Sequence, residues 1–296
     1  MNFIKIILFN ISDFFSYLSK KAKGLAITIS PTREITLSYL EKNEWKDVKP
    51  CFVLSTGRCG TKTLNRLLAI SNNSCALHSP HPELIRASKK AYEDIYNNME
   101  IYTEVIKSCR EELILYAAKR NKIFIETNNR ITFFAPAIKK AFPNAIFIHL
   151  IRHPGDFVRS GIRRKWYTGN NSHDIGRIEP TKKENTNNWK KHSNIKKIGW
   201  LWNETNRFIE NFTSKNDIDC LQIKAEELFN KIEISKSVFD FIGLEDFNRK
   251  QIKYILKKPK NKQQKGKFPH YQNWTDNMKN ELKEVVPLAK KYGYKL

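Results

Sequence analysis

The stretch from Cys51 to Leu64, CFVLSTGRCGTKTL, constrains this chain more than any other. Its first four residues read as a short buried strand. They run into Gly57, Arg58, Cys59 and Gly60, and a helix is expected from about residue 61, with Leu64, Leu67 and Leu68 at helical spacing. The turn between them carries a chemistry of its own. Glycines let the backbone bring successive N–H groups around an anion, and a helix N-terminus adds unsatisfied donors and partial positive charge. Arg58 and Lys62 supply full charges, while Thr61 and Thr63 supply hydroxyl donors. The segment is an oxyanion cradle. It is not the Walker A loop of ordinary ATPases and kinases, because Thr61 separates Gly60 from Lys62 and only two residues lie between Gly57 and Gly60. No clear acidic partner for magnesium accompanies it.

Charge points the same way. The 296 residues include 53 Lys and Arg against 30 Asp and Glu, a net charge of +23. Such an excess implies anionic partners: nucleic acid, an acidic membrane surface, or small molecules bearing phosphate or sulfate. Part of it is compositional bias on solvated faces. With 40% hydrophobic and 28% charged residues the chain is neither disordered nor fibrous, and a mean hydropathy of −0.57 excludes a polytopic membrane protein. The five cysteines, Cys51, Cys59, Cys75, Cys109 and Cys220, are scattered and form no C-x-x-C pair. That argues against structural zinc or a disulfide framework, and for a reducing, cytoplasmic location.

From Pro50 onward strand-like and helix-like stretches alternate. Apolar runs at 51–55, 123–126, 145–151 and 220–224 are separated by periodic stretches around 61–70, 84–120, 131–142, 155–167, 197–213, 226–242 and 276–292. This alternation predicts an α/β fold, a parallel sheet with helices on both faces. The expected organisation is an amphipathic helix over 1–24, a linker over 25–48, and one domain over 49–296 with a polar, Asn- and Lys-rich lid at about 168–197. Residues 3–18 are too short and too interrupted, by Lys5, Asn10 and Asp13, to span a bilayer. Ile4, Ile7, Leu8, Ile11, Phe14, Phe15 and Leu18 form a helical stripe followed by Lys20, Lys21 and Lys23. Residues 3–23 therefore suit peripheral contact with an anionic membrane, or packing on the domain or on a second subunit as in a homodimer.

A second anion site is legible in Ala145–Ser160, AIFIHLIRHPGDFVRS. A buried strand ends at Ile151, Arg152 offers a bidentate fork, Pro154 opens a helix, and Ser160 places a hydroxyl within reach of the same anion. Two such sites at the carboxyl ends of parallel strands suggest one ligand with phosphates at both ends.

At these residues the chain resembles the sulfotransferases that use 3′-phosphoadenosine 5′-phosphosulfate (PAPS). Ser55–Thr63 is similar to that family's 5′-phosphosulfate loop and Arg152–Ser160 to its 3′-phosphate motif. The likeness continues through Ile223–Leu228, Phe241–Leu244, Lys265–Pro269 and Trp274, about 50–292 in all. The resemblance implies a P-loop-like three-layer fold, transfer of a sulfuryl group to an acceptor hydroxyl, release of adenosine 3′,5′-bisphosphate, and no metal. It assigns nucleotide binding to Gly57, Arg58, Cys59, Gly60, Thr61, Lys62, Thr63, Arg152 and Ser160, with Lys265, Gly266 and Lys267 closing over the nucleotide. Arg58 takes the family's cationic position at the bridging oxygen, and Cys59 is expected to act through its backbone N–H. For the general base Glu126 is the first choice, at the end of its strand, and His78 the second. His81 and Glu83 share the His78 segment, and the family's frequent His-Glu pair is here His78-Ser79. Trp200 or Trp202 is expected to line the cleft, His149 to sit in the core. A glycan or glycolipid hydroxyl is the favoured acceptor. The alternatives are a nucleotide or sugar kinase and, with only the charge behind it and no nucleic-acid-binding signature, a nucleic-acid-binding protein.

Overall fold

Five short strands form one all-parallel sheet in the order β2-β3-β1-β4-β5. They are β1 (Cys51–Leu54), β2 (Ser74–Leu77), β3 (Ile123–Glu126), β4 (Ile146–Ile151) and β5 (Cys220–Lys224). This computed structural model describes residues 32–169, 172–180, 186–214, 218–257 and 266–296, with Ile11, Phe14, Phe15, Tyr17, Leu18 and Lys21. Helix α1 (Leu37–Lys42) precedes β1, which leads into α2 (Thr61–Leu68). Helices α3 (Ile85–Asp94) and α4 (Met99–Ala118) precede β3, and α5 (Ala135–Ala141) precedes β4. Between β4 and β5 lie α6 (Pro154–Ile162) and α7 (Asn194–Thr213). The chain continues through α8 (Ala225–Asn230), α9 (Ile232–Ile242), α10 (Arg249–Lys257), α11 (Asp276–Val285) and α12 (Leu288–Lys291).

The α/β architecture read from the sequence is the one observed. Pleating sends alternate strand residues to opposite faces. Phe52, Leu54, Phe124 and Phe147 join one apolar core with α4, α5 and α7. Cys51, Val53, Ile125, Ile146 and Ile148 join another with α2, α9 and α10. Each layer covers a sheet face that is apolar on both sides, which is why these strands read as continuous hydrophobic runs.

The differences lie where local signals are weak. β2, SCAL, has too few β-branched or aromatic residues to be recognised. The periodic stretch 84–120 is two helices, and 226–242 breaks at Lys231, which is extended at φ −120°. Pro287 divides 276–292. The linker expected over 25–48 contains part of the core: Leu40 is buried, and Trp45 packs edge-on against Phe142 at 5.0 Å.

The helix read over 3–18 lies mostly outside the described residues. Of those described, Ile11, Phe14, Phe15 and Leu18 are helical and exposed, at 42–64%. Among the described residues no helix is long and apolar enough to cross a membrane. The polar stretch 168–197 lies partly outside the description. Its described parts include two 3-10 turns, Ser172–Gly176 and Thr186–Lys191, and α7, which starts at Asn194 with the Ser193 side chain accepting from the Lys196 N–H.

From β1 the chain builds β2 and β3 on one side and then crosses to β4 on the other, so β1 and β4 are neighbours at a switch in strand order. The crevice at the carboxyl ends of two such strands is where open α/β sheets bind ligands.

Candidate functional site

The loop after β1 is clipped at its start by Thr132, whose hydroxyl donates to the Ser55 carbonyl at 3.0 Å and accepts the Ser55 N–H at 3.1 Å. Gly57, Arg58 and Gly60 then take left-handed backbone angles, φ +77°, +57° and +91°. Glycine adopts these at no steric cost, whereas Arg58 stores strain on the order of 1 kcal/mol. Gly60 is required twice over, since a Cβ there would also lie 2.2 Å from the Phe229 ring. Thr61, Lys62 and Thr63 open α2; the Thr63 N–H donates to the Gly60 carbonyl at 2.9 Å, and the N–H groups ahead of it precede the first i−4 acceptor of the helix. The Cys59 thiol is buried against the Thr56 hydroxyl and the Gly57 carbonyl, and burial pushes it up to about 11. It is a protonated packing group, so its backbone N–H is the part available to a ligand.

The β4–α6 turn is held from several sides. His153 caps α6 by accepting the Gly155 N–H at Nδ1, and its own N–H donates to Glu226 Oε1 at 2.9 Å. The Tyr294 hydroxyl donates to the other Glu226 oxygen at 3.0 Å. Trp202 Nε1 donates to the Arg152 carbonyl at 2.9 Å. These contacts aim Arg152 at the β1 loop, where Nη1 donates to the Arg58 carbonyl at 2.8 Å. Arg58 Nε in turn donates to Ser160 Oγ at 3.3 Å, and Arg164 Nη1 reaches the same oxygen at 2.8 Å. Two motifs far apart in sequence thus close on each other through Arg58, Arg152 and Ser160.

Between them lies a cavity of about 770 Å³, lined by Arg58–Thr63, Arg152, Ser160, His78, Glu226 and Phe229 among others. That is the size of a small-ligand site. Its guanidinium groups crowd one another. Burial and Arg152 lower the Arg58 pKa, and burial with Arg58, Arg163 and Arg152 brings Arg164 down to about 10. An anion bound among them relieves that repulsion. At the rim, Arg159 Nε donates to the Phe268 carbonyl at 3.1 Å and Arg163 Nε to the Gly266 carbonyl at 2.8 Å. These bonds hold Gly266 and Lys267 beside a second hollow. Lys265 lies outside the described residues.

A family model described as the Sulfotransferase family matches residues 50–247. The chain belongs to the sulfotransferase family. It is similar to the sulfotransferase domain from the curacin biosynthetic pathway, at 14% identity over 84% of this chain and 99% of that one, TM-score 0.49. A sulfotransferase from Alicyclobacillus acidocaldarius matches at 14% over 84% and 97%, TM-score 0.49. Sulfotransferase STF9 from Mycobacterium avium matches at 12% over 88% and 81%, TM-score 0.47. Among curated proteins, none matches in sequence.

The two candidate bases stand differently toward the cavity. Glu126 does not line it. Its carboxylate is fully buried, with Arg110 Nε on Oε2 at 2.6 Å, Arg110 Nη2 on Oε1 at 3.0 Å, and Asn128 Nδ2 on Oε1 at 3.1 Å. Burial pushes its pKa up, while Arg110 and Asn128 pull it down. The expectation that Glu126 is the general base is therefore corrected: both oxygens are occupied in an internal ion pair, and a base must reach the proton it abstracts. His78 does line the cavity, with a partly exposed side chain. Partial burial, Lys62 and Arg58 hold its pKa below the ordinary imidazole value, against opposing contributions from Thr127 and Glu83. The shift favours the neutral ring, the form a base needs.

The tryptophan expectation is corrected, while the one for His149 holds. Trp202 is fully buried and Trp200 packs on Trp189 at 5.2 Å; neither lines the cavity. His149 is in the core, Nε2 2.8 Å from Asn206 Oδ1, its pKa pushed down to about 4 by burial. Among the described residues no group of three or more His, Cys, Asp or Glu is placed to hold a metal. Arg159, Arg163, Arg164, Glu226 and Phe229 are additions to the predicted site. The run Arg159-Ser-Gly-Ile-Arg163-Arg164 is a readable signal, three cations around Ser160, whereas nothing local marks Phe229.

Proposed function

We propose that the protein transfers a sulfuryl group from PAPS to an acceptor hydroxyl. The observation that carries this reading is the closure of the Gly57–Thr63 cradle on Arg152 and Ser160 around one cationic cavity. The donor fits that chemistry, since it is anionic at both its 5′-phosphosulfate and its 3′-phosphate. The α2 N-terminus, Thr61 and Thr63 would hold the former, and Arg152, Ser160 and Arg164 the latter, with Gly266 and Lys267 at the rim. When bound, PAPS supplies the sulfuryl group and a bisphosphate leaving group. Arg58 neutralises charge on the departing bridging oxygen, and His78 takes the acceptor's proton. Thermal-shift titration with adenosine 3′,5′-bisphosphate is expected to stabilise the protein by about 2.7 kcal/mol at a hundredfold excess over Kd, seen as a rise in Tm. ATP with magnesium is expected to do markedly less, and the reverse order sinks the reading.

The acceptor proposed is a glycan or glycolipid hydroxyl, a class suited to a basic protein at an anionic surface. The exposed stripe Ile11, Phe14, Phe15 and Leu18, next to Lys20, Lys21 and Lys23, supports peripheral binding to such a bilayer. The protein is expected to float with vesicles containing phosphatidylglycerol at low salt and not with pure phosphatidylcholine. Removal of residues 2–23 should abolish flotation; flotation unchanged by lipid charge or by that deletion would refute the contact.

A further inference from the structure

Three consecutive residues at the end of β3 grip the segment that carries His78. Glu126 fixes Arg110, whose Nη2 also donates to the Pro82 carbonyl at 3.1 Å. Thr127 N–H donates to the Leu77 carbonyl at 2.9 Å, and Asn128 Nδ2 lies 3.5 Å from the Glu83 carbonyl. The fourth contact is the informative one: Thr127 Oγ1 lies 3.0 Å from His78 Nδ1.

The direction of that bond follows from what else surrounds the hydroxyl. Thr127 is fully buried and has one O–H hydrogen to give. It donates to Asn65 Oδ1 at 3.2 Å, and its other near neighbour is the Leu77 carbonyl at 3.5 Å. With Asn65 presenting its Oδ1, both neighbouring atoms accept only. The oxygen lone pair is what remains for the histidine, so Nδ1 has to bring the hydrogen. A neutral imidazole protonated at Nδ1 carries its lone pair at Nε2. Asn65 sits on α2, the helix whose N-terminus forms the anion cradle, so one helix sets both the cradle and the support behind the base.

We propose that Thr127, backed by Asn65, is a positioning residue that fixes His78 as the Nδ1–H tautomer and leaves Nε2 to take the acceptor's proton. This rests on the sulfuryl-transfer reading above. In the step, the acceptor O–H bond breaks and its hydrogen bonds to Nε2. The oxygen's electron pair forms the new O–S bond, and the S–O bond to the leaving phosphate breaks with its pair on the phosphate oxygen. Thr127 touches neither sulfur nor acceptor.

Thr127→Val keeps the shape and removes the oxygen. Its kcat is expected to fall about 10- to 100-fold, the usual effect of losing a partner that orients an imidazole. KM for PAPS and affinity for the bisphosphate should stay unchanged, and Thr127→Ser should restore most of the loss. In ¹⁵N-histidine NMR of the wild-type protein, with His78→Gln for assignment, His78 should show a protonated Nδ1 and a bare Nε2. In Thr127→Val the two tautomers should mix. A protonated Nε2 in the neutral wild-type ring overturns the proposal, as does wild-type kcat in Thr127→Val. The NMR experiment needs neither donor nor acceptor. A wild-type protein that transfers no sulfate but holds the Nδ1–H tautomer refutes the functional reading and leaves the tautomer assignment standing. If Thr127→Val fails to fold, the wild-type tautomer decides.

Discussion

Arg58→Ala is expected to lose sulfate transfer by about 10³-fold in kcat, the scale on which an arginine at a transferring group acts. The physical reason is placement. Arg58 is the residue that joins the two anion motifs, with its backbone carbonyl accepting from Arg152 and its side-chain Nε donating to Ser160. It is also held in a strained left-handed conformation, and strain persists where the surroundings enforce it. Alanine removes the charge proposed to neutralise the leaving oxygen but leaves the Thr61–Thr63 helix start, Arg152 and Ser160 in place. Bisphosphate binding should therefore weaken far less than turnover falls. The check is kcat with a radiolabelled donor beside bisphosphate affinity. Near-normal turnover in Arg58→Ala removes this residue from the chemistry.

The second large effect separates the two residues proposed as base from the sequence. Glu126→Gln leaves Arg110 as an uncompensated charge in the interior and is expected to cost about 3–5 kcal/mol of stability, a large part of what a domain has. His78→Ala should leave the fold intact and lower kcat by about 10²–10⁴. The pH dependence carries the sign. A base whose pKa is depressed by partial burial, Lys62 and Arg58 stays neutral below the ordinary imidazole value near 6.5. Activity should therefore hold as pH falls through that value and drop only at lower pH. Glu126→Gln, assayed where it is folded, should keep this acidic limb, and His78→Ala should lose it. The opposite pattern restores Glu126 as the base.

How much of this was legible in the residues follows from the range of each signal. Cys51–Leu54 and Ile146–Ile151 announce themselves because both faces are buried and every position but His149 is apolar. Ser74–Leu77 does not, because pairing with β3 rather than its own composition makes it a strand. Gly57 and Gly60 mark a tight turn by themselves, but the second reason for Gly60 comes from Phe229, far along the chain. Leu40 and Trp45 looked like linker because a short helix and a turn carry little periodicity. Their burial depends on Phe142 and the rest of the core.

The sequence by itself determined the parallel α/β sheet, the cradle from Gly57 to Thr63 and the fork at Arg152. These rest on periodicity, glycine and helix starts, which are local properties of a few neighbouring residues. Only the tertiary structure decided which titratable group faces the cavity. Glu126 and Thr127 are adjacent, but their side chains find different partners: Glu126 meets Arg110 from α4, and Thr127 meets His78. Whether a carboxylate becomes an internal ion pair or a base is decided by what packs against it, and those partners arrive from other elements of the fold.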